Sequence, residues 1–306
     1  MKMHEFFKEI SPVKKKVEYK TLSFWFWLLL FSLLTALFFY YLNYRQDTEQ
    51  SIKYFPEDSQ VRFIEKATTL RIKSGETEPK LVWDVTSSTQ QPTYLRQDVS
   101  LLFEDGKLMD IYSKWKENEA KLSHNQNFSI TKSSHFEAIS IHHAESHYSA
   151  DSIKGKDRLT YDHLYVMKNA QNQLESFQIP VATEEKKWVQ SLGKATQQEQ
   201  HYILEQAMKK YRLDINNYYS FPLTYLHVFD QNALPQLDMK TTHRVISQLW
   251  EGVYNGYVQG IKLTSSQIEN PIGSAMPLVL FSKKADECLI IIKSASGQLT
   301  MLKQLI

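Results

Sequence analysis

The stretch Val99-Ser100-Leu101-Leu102-Phe103-Glu104-Asp105-Gly106-Lys107-Leu108-Met109-Asp110-Ile111-Tyr112 carries the clearest local signal in the chain. Two largely apolar runs flank the pair Asp105-Gly106. An Asp-Gly pair between such runs is the preferred two-residue turn of a β-hairpin, because both of its positions need a positive φ. The stretch therefore predicts an antiparallel hairpin, and the fold is interpreted outward from it.

Further strands are predicted on both sides of this hairpin, where β-branched and aromatic residues are concentrated. Residues 61–180 are accordingly interpreted as a strand-rich part of the protein. The additional strands are predicted at 69–73, 81–85, 135–148, 159–168 and 173–179.

The hydrophobic period becomes helical over about 183–260. Gly193 interrupts this pattern, and Thr196-Gln197-Gln198-Glu199 has the sequence of a capping box, which predicts that a helix starts there. A second helix is predicted from Thr242 as its N-cap. Its core-facing residues are predicted to be Val245, Ile246, Leu249, Trp250 and Val253.

The last forty residues return to strand and predict a three-strand meander at 278–281, 289–292 and 299–302. The middle run is apolar at every position, so we expect it to be central and covered on both faces. Residues 181–306 thus hold a helical segment and this meander. The whole pattern predicts an α+β fold, in which an antiparallel-sheet-rich ectodomain carries helices packed on it.

Residues 21–42 are uncharged and rich in Leu, Phe and Trp. As a helix they would be ~33 Å long, which is enough to cross a bilayer core of ~30 Å. The sequence therefore predicts one transmembrane helix and a contact with the lipid bilayer through residues 21–42. No later uncharged run approaches the ~18 residues that a second span would need.

The charges beside this span predict its orientation. The first twenty residues hold six lysines against three glutamates, and basic residues next to a first span stay in the cytoplasm. Residues 1–20 are therefore predicted to be a basic cytoplasmic tail, 43–60 a stalk, and the domain beyond it extracytoplasmic. Two alternatives are a cleaved signal peptide and a reversed topology. The apolar run exceeds the ~7–15 residues of a signal peptide and no small-x-small cleavage site follows it.

Composition limits the classes of partner. The formal net charge is only +2, and six lysines minus three glutamates already give +3 before the span, so the rest of the chain is −1 and has no field to attract nucleic acid. Cys288 is the single cysteine, and it lies in an apolar run typical of a core. An exported domain without an internal disulfide is typical of a bacterial cell envelope rather than of a eukaryotic secretory product.

Four histidines and two glutamates gather between residues 135 and 147. If this segment is a strand, His143 and Glu145 are ~6.6 Å apart on one face and could share a metal ion, whereas His147 lies ~13 Å from His143. If it is a helix, His143 and His147 are one turn apart and could chelate. The competing interpretation is a polar strand face turned outward, without metal. The set consists of His135, Glu137, His142, His143, Glu145 and His147.

Catalytic signatures are absent from the sequence. There is no G-x-S-x-G, no G-x-x-x-x-G-K and no G-x-G-x-x-G, so no catalytic residue and no cofactor is assigned. Asp214, Asp230 and Asp238 could converge in a fold as a pair of glycosidase carboxylates, although scattered acids are usually solvated. An enzyme is therefore the weaker of the two function classes.

A segment dense in aromatic residues offers a candidate interaction surface. Large rings dominate cores as well as interfaces, so a core role is the alternative. The best interpretation is a single-pass extracytoplasmic protein that acts by binding another envelope or membrane protein, as an accessory, regulatory or assembly factor. The alternative is an anchored envelope hydrolase using His/Glu or Asp residues. The interaction candidates are Tyr218, Tyr219, Phe221, Tyr225 and Trp250.

Overall fold

The structure, a computed structural model, covers most of the chain. It divides the chain into two compact units, residues 1–50 and residues 51–306. The residues that it describes are 24, 27–36, 52–73, 79–149, 151–168, 173–263 and 267–306.

In the first unit, the described residues 24 and 27–36 are helical. Their large side chains are open to the surroundings; Leu29 and Phe31, for instance, are 69% and 70% exposed. The rest of the predicted span over 21–42 and the whole predicted tail over 1–20 lie outside the described residues. Among the described residues, no helix has both the length and the apolar composition that crossing a membrane requires.

The second unit is α+β, with antiparallel sheets and packed helices, as the sequence predicts. Short 3₁₀ and π-helical turns connect some of the elements. The two long helices are α1 (Thr183–Tyr211) and α2 (Met239–Val253). The strands are β1 (Phe63–Lys73), β2 (Lys80–Glu104), β3 (Lys107–Ser129), β4 (Ser134–Ser149), β5 (Ser152–Lys168), β6 (Leu174–Phe177), β7 (Tyr218–Pro222), β8 (Ile261–Lys262), β9 (Ile268–Glu269), β10 (Leu278–Ser282), β11 (Glu287–Lys293) and β12 (Leu299–Leu305).

The hairpin at Asp105-Gly106 is confirmed and joins β2 to β3. Asp105 and Gly106 have φ of 50° and 77°, and Glu104 pairs with Lys107 across the turn. Both central residues are therefore in the left-handed region, which Gly adopts at no steric cost and Asp tolerates better than most residues.

The large sheet consists of β1 to β6 and bends in the middle of β2, which is 25 residues long. β1 pairs with the first half of β2 and β4 with its second half, while β3 follows both halves. The β2–β3 ladder shifts register between Ser88 and Thr93. The bend brings β1 against β5, where Thr68 Oγ1 lies 2.6 Å from Thr160 Oγ1.

A buried charged network holds this bend. Arg96 is fully buried and donates to Ser87 Oγ (2.5 Å), Thr89 Oγ1 (3.1 Å) and the Ala120 carbonyl (2.8 Å). Its guanidinium lies 3.8 Å from the carboxylate of Asp98, which is also fully buried. The Ala120 carbonyl lies opposite the register shift, so Arg96 satisfies a backbone acceptor that a regular ladder would otherwise pair.

Three apolar cores divide the unit into layers. One core fills the folded large sheet around Trp83 and Leu102. The second lies on the other face of that sheet, against α2 and one face of the C-terminal sheet, around Trp250 and Ile139. The third lies between the opposite face of the C-terminal sheet and α1, around Ile203.

The C-terminal sheet has the order β12-β11-β10-β7. The predicted meander is confirmed, since β11 pairs with β10 on one side and with β12 on the other. The five central residues of β11 are buried, as its continuous apolar sequence predicts. The fourth strand, β7, lies at the edge beside β10 and was not expected there from the sequence.

Two predicted helix starts, at Thr196 and Thr242, are wrong. α1 is continuous from Thr183 to Tyr211, and Thr196, expected as an N-cap, instead donates its hydroxyl to the Leu192 carbonyl one turn earlier (3.2 Å). Asp238 caps α2 by accepting from the Thr241 N–H (2.6 Å), whereas Thr242 lies inside the helix. The predicted core-facing residues of α2 are buried, as expected.

The described part of the predicted stalk, residues 52–60, packs against the strands and helices of the second unit. Ile52 is fully buried in the core beside α2. The Asp58 N–H donates to the Gly155 carbonyl (2.7 Å), and the Gly155 N–H donates to the Pro56 carbonyl (3.0 Å). This segment therefore forms a short parallel bridge to β5 instead of leaving the domain.

Candidate functional site

The pairing of β4 with β5 places His143 directly opposite Asp157. His143 Nδ1 donates to Asp157 Oδ1 (2.5 Å), and His143 Nε2 donates to Glu145 Oε1 (2.9 Å). The other carboxylate oxygen of Glu145 accepts from His147 Nε2 (3.2 Å). Four side chains thus form one hydrogen-bonded chain, which we name the histidine–carboxylate chain.

Burial and charge act in opposite directions on His143. Burial alone lowers its pKa, but the carboxylates of Asp157 and Glu145 more than offset this effect and raise the pKa to about 9. Burial would likewise raise the pKa of Glu145, but His143 and His147 hold it below its usual value. His143 is therefore a cation at neutral pH, held between two anions.

This chain reaches the wall of a cavity through Asp157. The cavity has a volume of about 440 Å³ and lies among residues 54–57, β5 and the first turns of α2. We name it the charged cavity. Its lining residues are Tyr54, Phe55, Pro56, Glu57, Gly155, Asp157, Arg158, Asp238, Lys240, Thr241, His243, Arg244 and Ser247.

The acids of the charged cavity are already neutralised by neighbours. Burial would raise the pKa of Glu57, but its ion pair with Lys156 and the nearby Arg158 lower it instead. Asp157 accepts from the His143 cation. Asp238 accepts from the backbone at the start of α2, which holds its pKa below the usual value.

The candidate metal ligands His143, Glu145 and His147 do meet, but their polar atoms bond to one another. Both ring nitrogens of His143 are occupied by carboxylates, which leaves no lone pair for a metal ion. Over the described ranges, no group of three or more His, Cys, Asp or Glu side chains has a geometry that could hold a metal ion.

The expected outward polar face of β4 is wrong. His143, Ile139 and Ile141 lie on one face, but Ile139 and Ile141 belong to the core beside α2 and His143 is fully buried. Of the histidines and glutamates on β4, only His147, near the end of the strand, is exposed, and its ring stacks on Tyr94 at 3.6 Å. Alternation along a strand shows which residues share a face, but it does not show whether helices cover that face.

A second titratable cluster surrounds Glu137 on the same face of the sheet. Glu137 Oε1 accepts from the hydroxyls of Tyr161 (3.0 Å) and Thr224 (3.2 Å). Burial raises the pKa of Glu137, an effect that these hydrogen bonds only partly oppose. Burial also lowers the pKa of the neighbouring His135 to about 4. Tyr161 and Asp230 both line a second cavity of about 570 Å³.

The three scattered aspartates do not converge as a glycosidase pair. Asp214 caps a 3₁₀ turn by accepting from the Asn216 N–H, and Asp238 caps α2. Asp230 bridges β1 and β5, because its two oxygens accept from Lys66 Nζ (2.5 Å) and from the Leu159 N–H (2.9 Å). Each of the three carboxylates therefore stabilises a different part of the fold through its own hydrogen bonds.

The aromatic candidates separate into buried and exposed residues. Trp250 is fully buried and cannot reach a partner, which corrects its place among the interaction candidates. Tyr218 is half-buried, and its hydroxyl bonds to Glu287. Tyr219 and Tyr225 are 40% and 46% exposed.

Phe221 lies between the two exposed tyrosines, with its ring centroid 5.7 Å from that of Tyr225. Tyr219 and Phe221 are two residues apart on β7 and share a face of the sheet. We name Tyr219, Phe221 and Tyr225 the aromatic edge, because they lie on and beside the edge strand β7.

Asp157 and Arg158 were not identified from the sequence. Ser149 pairs with Ser152, and a regular ladder continued from that pair would place His143 opposite Arg158. A register shift between His147 and Ser149 places His143 opposite Asp157 instead, and no sequence pattern predicts this shift. No short motif marks Arg158, Lys240 or Arg244, which come together only because residues 54–57, β5 and α2 meet in the fold.

Comparisons with protein-family models, curated proteins and solved structures found no match to this chain.

Proposed function

We propose that this chain is a single-pass, membrane-anchored extracytoplasmic protein that acts by binding another envelope or membrane protein. It would serve as an accessory, regulatory or assembly factor of the bacterial cell envelope. The observation that carries the binding role is the exposure of two tyrosines, Tyr219 and Tyr225, beside an open strand edge.

The anchor is supported by the sequence and by the described helical residues. The uncharged run over 21–42 follows six lysines, which favour a cytoplasmic N-terminus. Residues 27–36 are helical, and apolar side chains such as Leu29 and Phe31 are mostly exposed, which is costly in water and favourable in lipid.

The geometry of β7 defines what kind of segment fits the aromatic edge. The Lys283 N–H donates to the Asn217 carbonyl and the Leu223 N–H to the Pro277 carbonyl, at the two ends of the β7–β10 ladder. In an antiparallel ladder this alternation turns the N–H and C=O of Ser220 away from β10. Ser220 is exposed, and over the described part of the chain no strand pairs with β7 on that side.

An extended segment of a partner could therefore pair with Ser220 while its side chains contact the aromatic edge. Main-chain bonds of this kind supply affinity, and rings such as Tyr219 and Tyr225 supply the few anchors in which interface energy concentrates. The Tyr219→Ser/Tyr225→Ser double variant is expected to lose a partner that co-purifies from crosslinked membranes. Tyr202→Ser is the matched control, since Tyr202 is 52% exposed on α1 and its ring lies beside Lys293 of β11.

Thermal unfolding of each purified variant in solution distinguishes a loss of binding from a loss of folding. Retention of every crosslinked partner by a folded double variant would contradict the proposed surface.

Topology is tested separately by adding protease to intact cells, which should digest the region from 61 to 306. Full protection of that region while the membrane is intact would contradict the extracytoplasmic location.

A second candidate function, an anchored envelope hydrolase, is favoured by one observation. Glu137 has a raised pKa and bonds to Tyr161, which lines a cavity, and such a pairing is common at catalytic sites. A general acid of this kind contributes ~10²–10⁴ in rate. Glu137→Gln should leave the cellular function intact if the protein acts by binding, and a folded but inactive variant would favour the hydrolase.

A further inference from the structure

The charged cavity contains cations that the surrounding protein leaves without ion pairs. Lys240 and Arg244 both line it, and among the described residues neither forms an ion pair within 4 Å. Two acids of the cavity are paired with cations: Glu57 with Lys156 and Arg158, and Asp157 with the His143 cation. The third acid, Asp238, accepts from the backbone at the start of α2 and also interacts with the charge of Lys240. Among the described residues, Arg244 therefore remains a positive charge of the cavity that no acid compensates.

The placement of these cations is unfavourable for the isolated fold. Lys240 and Arg244 are four residues apart on α2, so their like charges are neighbours on one helix face. Lys240 also lies in the first turn of α2, where the helix dipole favours anions and disfavours cations. The N-terminus of α2 is already capped by the Asp238 carboxylate, so an anion in the cavity would be bound by the side chains that line it.

The neighbouring groups complete an anion-binding environment. Arg158 lines the same cavity and is held in place by its bonds to the Asp157 carbonyl (2.6 Å) and to Glu57 (3.5 Å). Thr241 and Ser247 add hydroxyl donors to the lining. A volume of about 440 Å³ lies within the range of small-molecule sites, ~300–1,000 Å³.

We propose that the charged cavity binds a phosphate group, carried either by a small soluble molecule or by a lipid headgroup. A guanidinium such as that of Arg244 matches two phosphate oxygens with parallel N–H donors, and Lys240 adds a compact charge. This site is distinct from the aromatic edge and does not depend on the proposed partner.

The test uses the full chain in nanodiscs of zwitterionic lipid, titrated with pyrophosphate and with glycerol phosphate in a calorimeter. Saturable binding to one site per chain is expected. Arg244→Gln and Lys240→Ala should each weaken the affinity about tenfold, because each removes a charge-assisted hydrogen bond. Lys209→Ala, which removes an exposed lysine from α1, is the matched control and should have no effect.

A second arm identifies the source of the phosphate. Nanodiscs containing an anionic phospholipid should weaken pyrophosphate binding if the headgroup is the ligand and leave it unchanged if the ligand is soluble. Both results support the proposal, provided that Arg244→Gln is defective. The absence of saturable binding, or an equal loss in the Lys209→Ala control, would overturn it. Binding of a protein partner at the aromatic edge could survive either failure, so the two proposals are separable.

Discussion

Replacing His143 by Gln should remove a specific pH dependence from the stability of the second unit, residues 51–306. The pKa of His143 rises from 6.5 to about 9 in the folded state, where the side chain is fully buried between Asp157 and Glu145. A rise of this size corresponds to about 3 kcal/mol of stability, since each pK unit is worth ~1.36 kcal/mol. Between these two pH values the folded state keeps a proton that the unfolded state has released.

The sign of the effect follows from this difference in bound protons. The contribution of His143 is fully present below pH 6.5 and is lost as the pH rises towards 9. The stability of a fragment comprising residues 45–306 should therefore fall by about 2–3 kcal/mol between about pH 6.5 and pH 8.5. The His143→Gln fragment should be less stable at pH 6.5, and its stability should change little over the same interval.

Urea denaturation at several pH values measures both slopes directly. His201→Gln is the control, because His201 is 73% exposed on α1 and pairs only with Glu205 one turn away. It should keep the wild-type slope. A wild-type stability that is flat over this interval, or a His143→Gln variant that keeps the slope, would refute the assignment of a buried imidazolium.

Three further predictions concern the fold. Gly106→Val should destabilise the second unit by about 1–2 kcal/mol, because Gly106 has φ of 77° and a β-branched residue is strained there. Gly193→Ala is the matched change and should stabilise by about 0.5–1 kcal/mol, since no atom lies near its added Cβ in α1. Arg96→Met should cost about 3–5 kcal/mol because Asp98 would be left buried without its cation. Arg71→Met, at an exposed ion pair, should cost less than about 1 kcal/mol, and thermal melts rank all four. Purification in EDTA should leave the thermal transition of the fragment unchanged, and loss of folding on chelation would instead assign a metal to the His143 region.

The elements that the sequence predicted correctly are those fixed by neighbouring residues. The hairpin at Asp105-Gly106 follows from the φ values that the turn needs, and the C-terminal meander follows from apolar runs separated by turn residues. The helix break at Gly193 was wrong because one glycine costs only about 1 kcal/mol. Helix α1 offsets this cost by packing at both ends, with Trp188 against Phe177 and with Ile203 in the core beside the C-terminal sheet.

The parts that could not be predicted depend on contacts between distant residues. The bend in β2 is held by Arg96, whose partners include the Ala120 carbonyl on β3. The stretch between the predicted strands at 81–85 and 99–104 is mostly polar and resembles a connection. The burial of Arg96 cannot be predicted from this stretch, because it depends on partners that only the fold brings together. The charged cavity is a similar case, since residues 54–57 were expected in a stalk and instead form one of its walls.

The most direct test of the central claim is site-specific photo-crosslinking in intact cells. A photoreactive amino acid placed at Tyr225, which is 46% exposed at the aromatic edge, should yield a discrete crosslinked protein after illumination. The same amino acid at Tyr202 on α1 should not yield that species. A product at Tyr225 that is absent at Tyr202 is the result expected of a protein that acts by binding through this edge. No product at Tyr225 above that seen at Tyr202 would contradict the account.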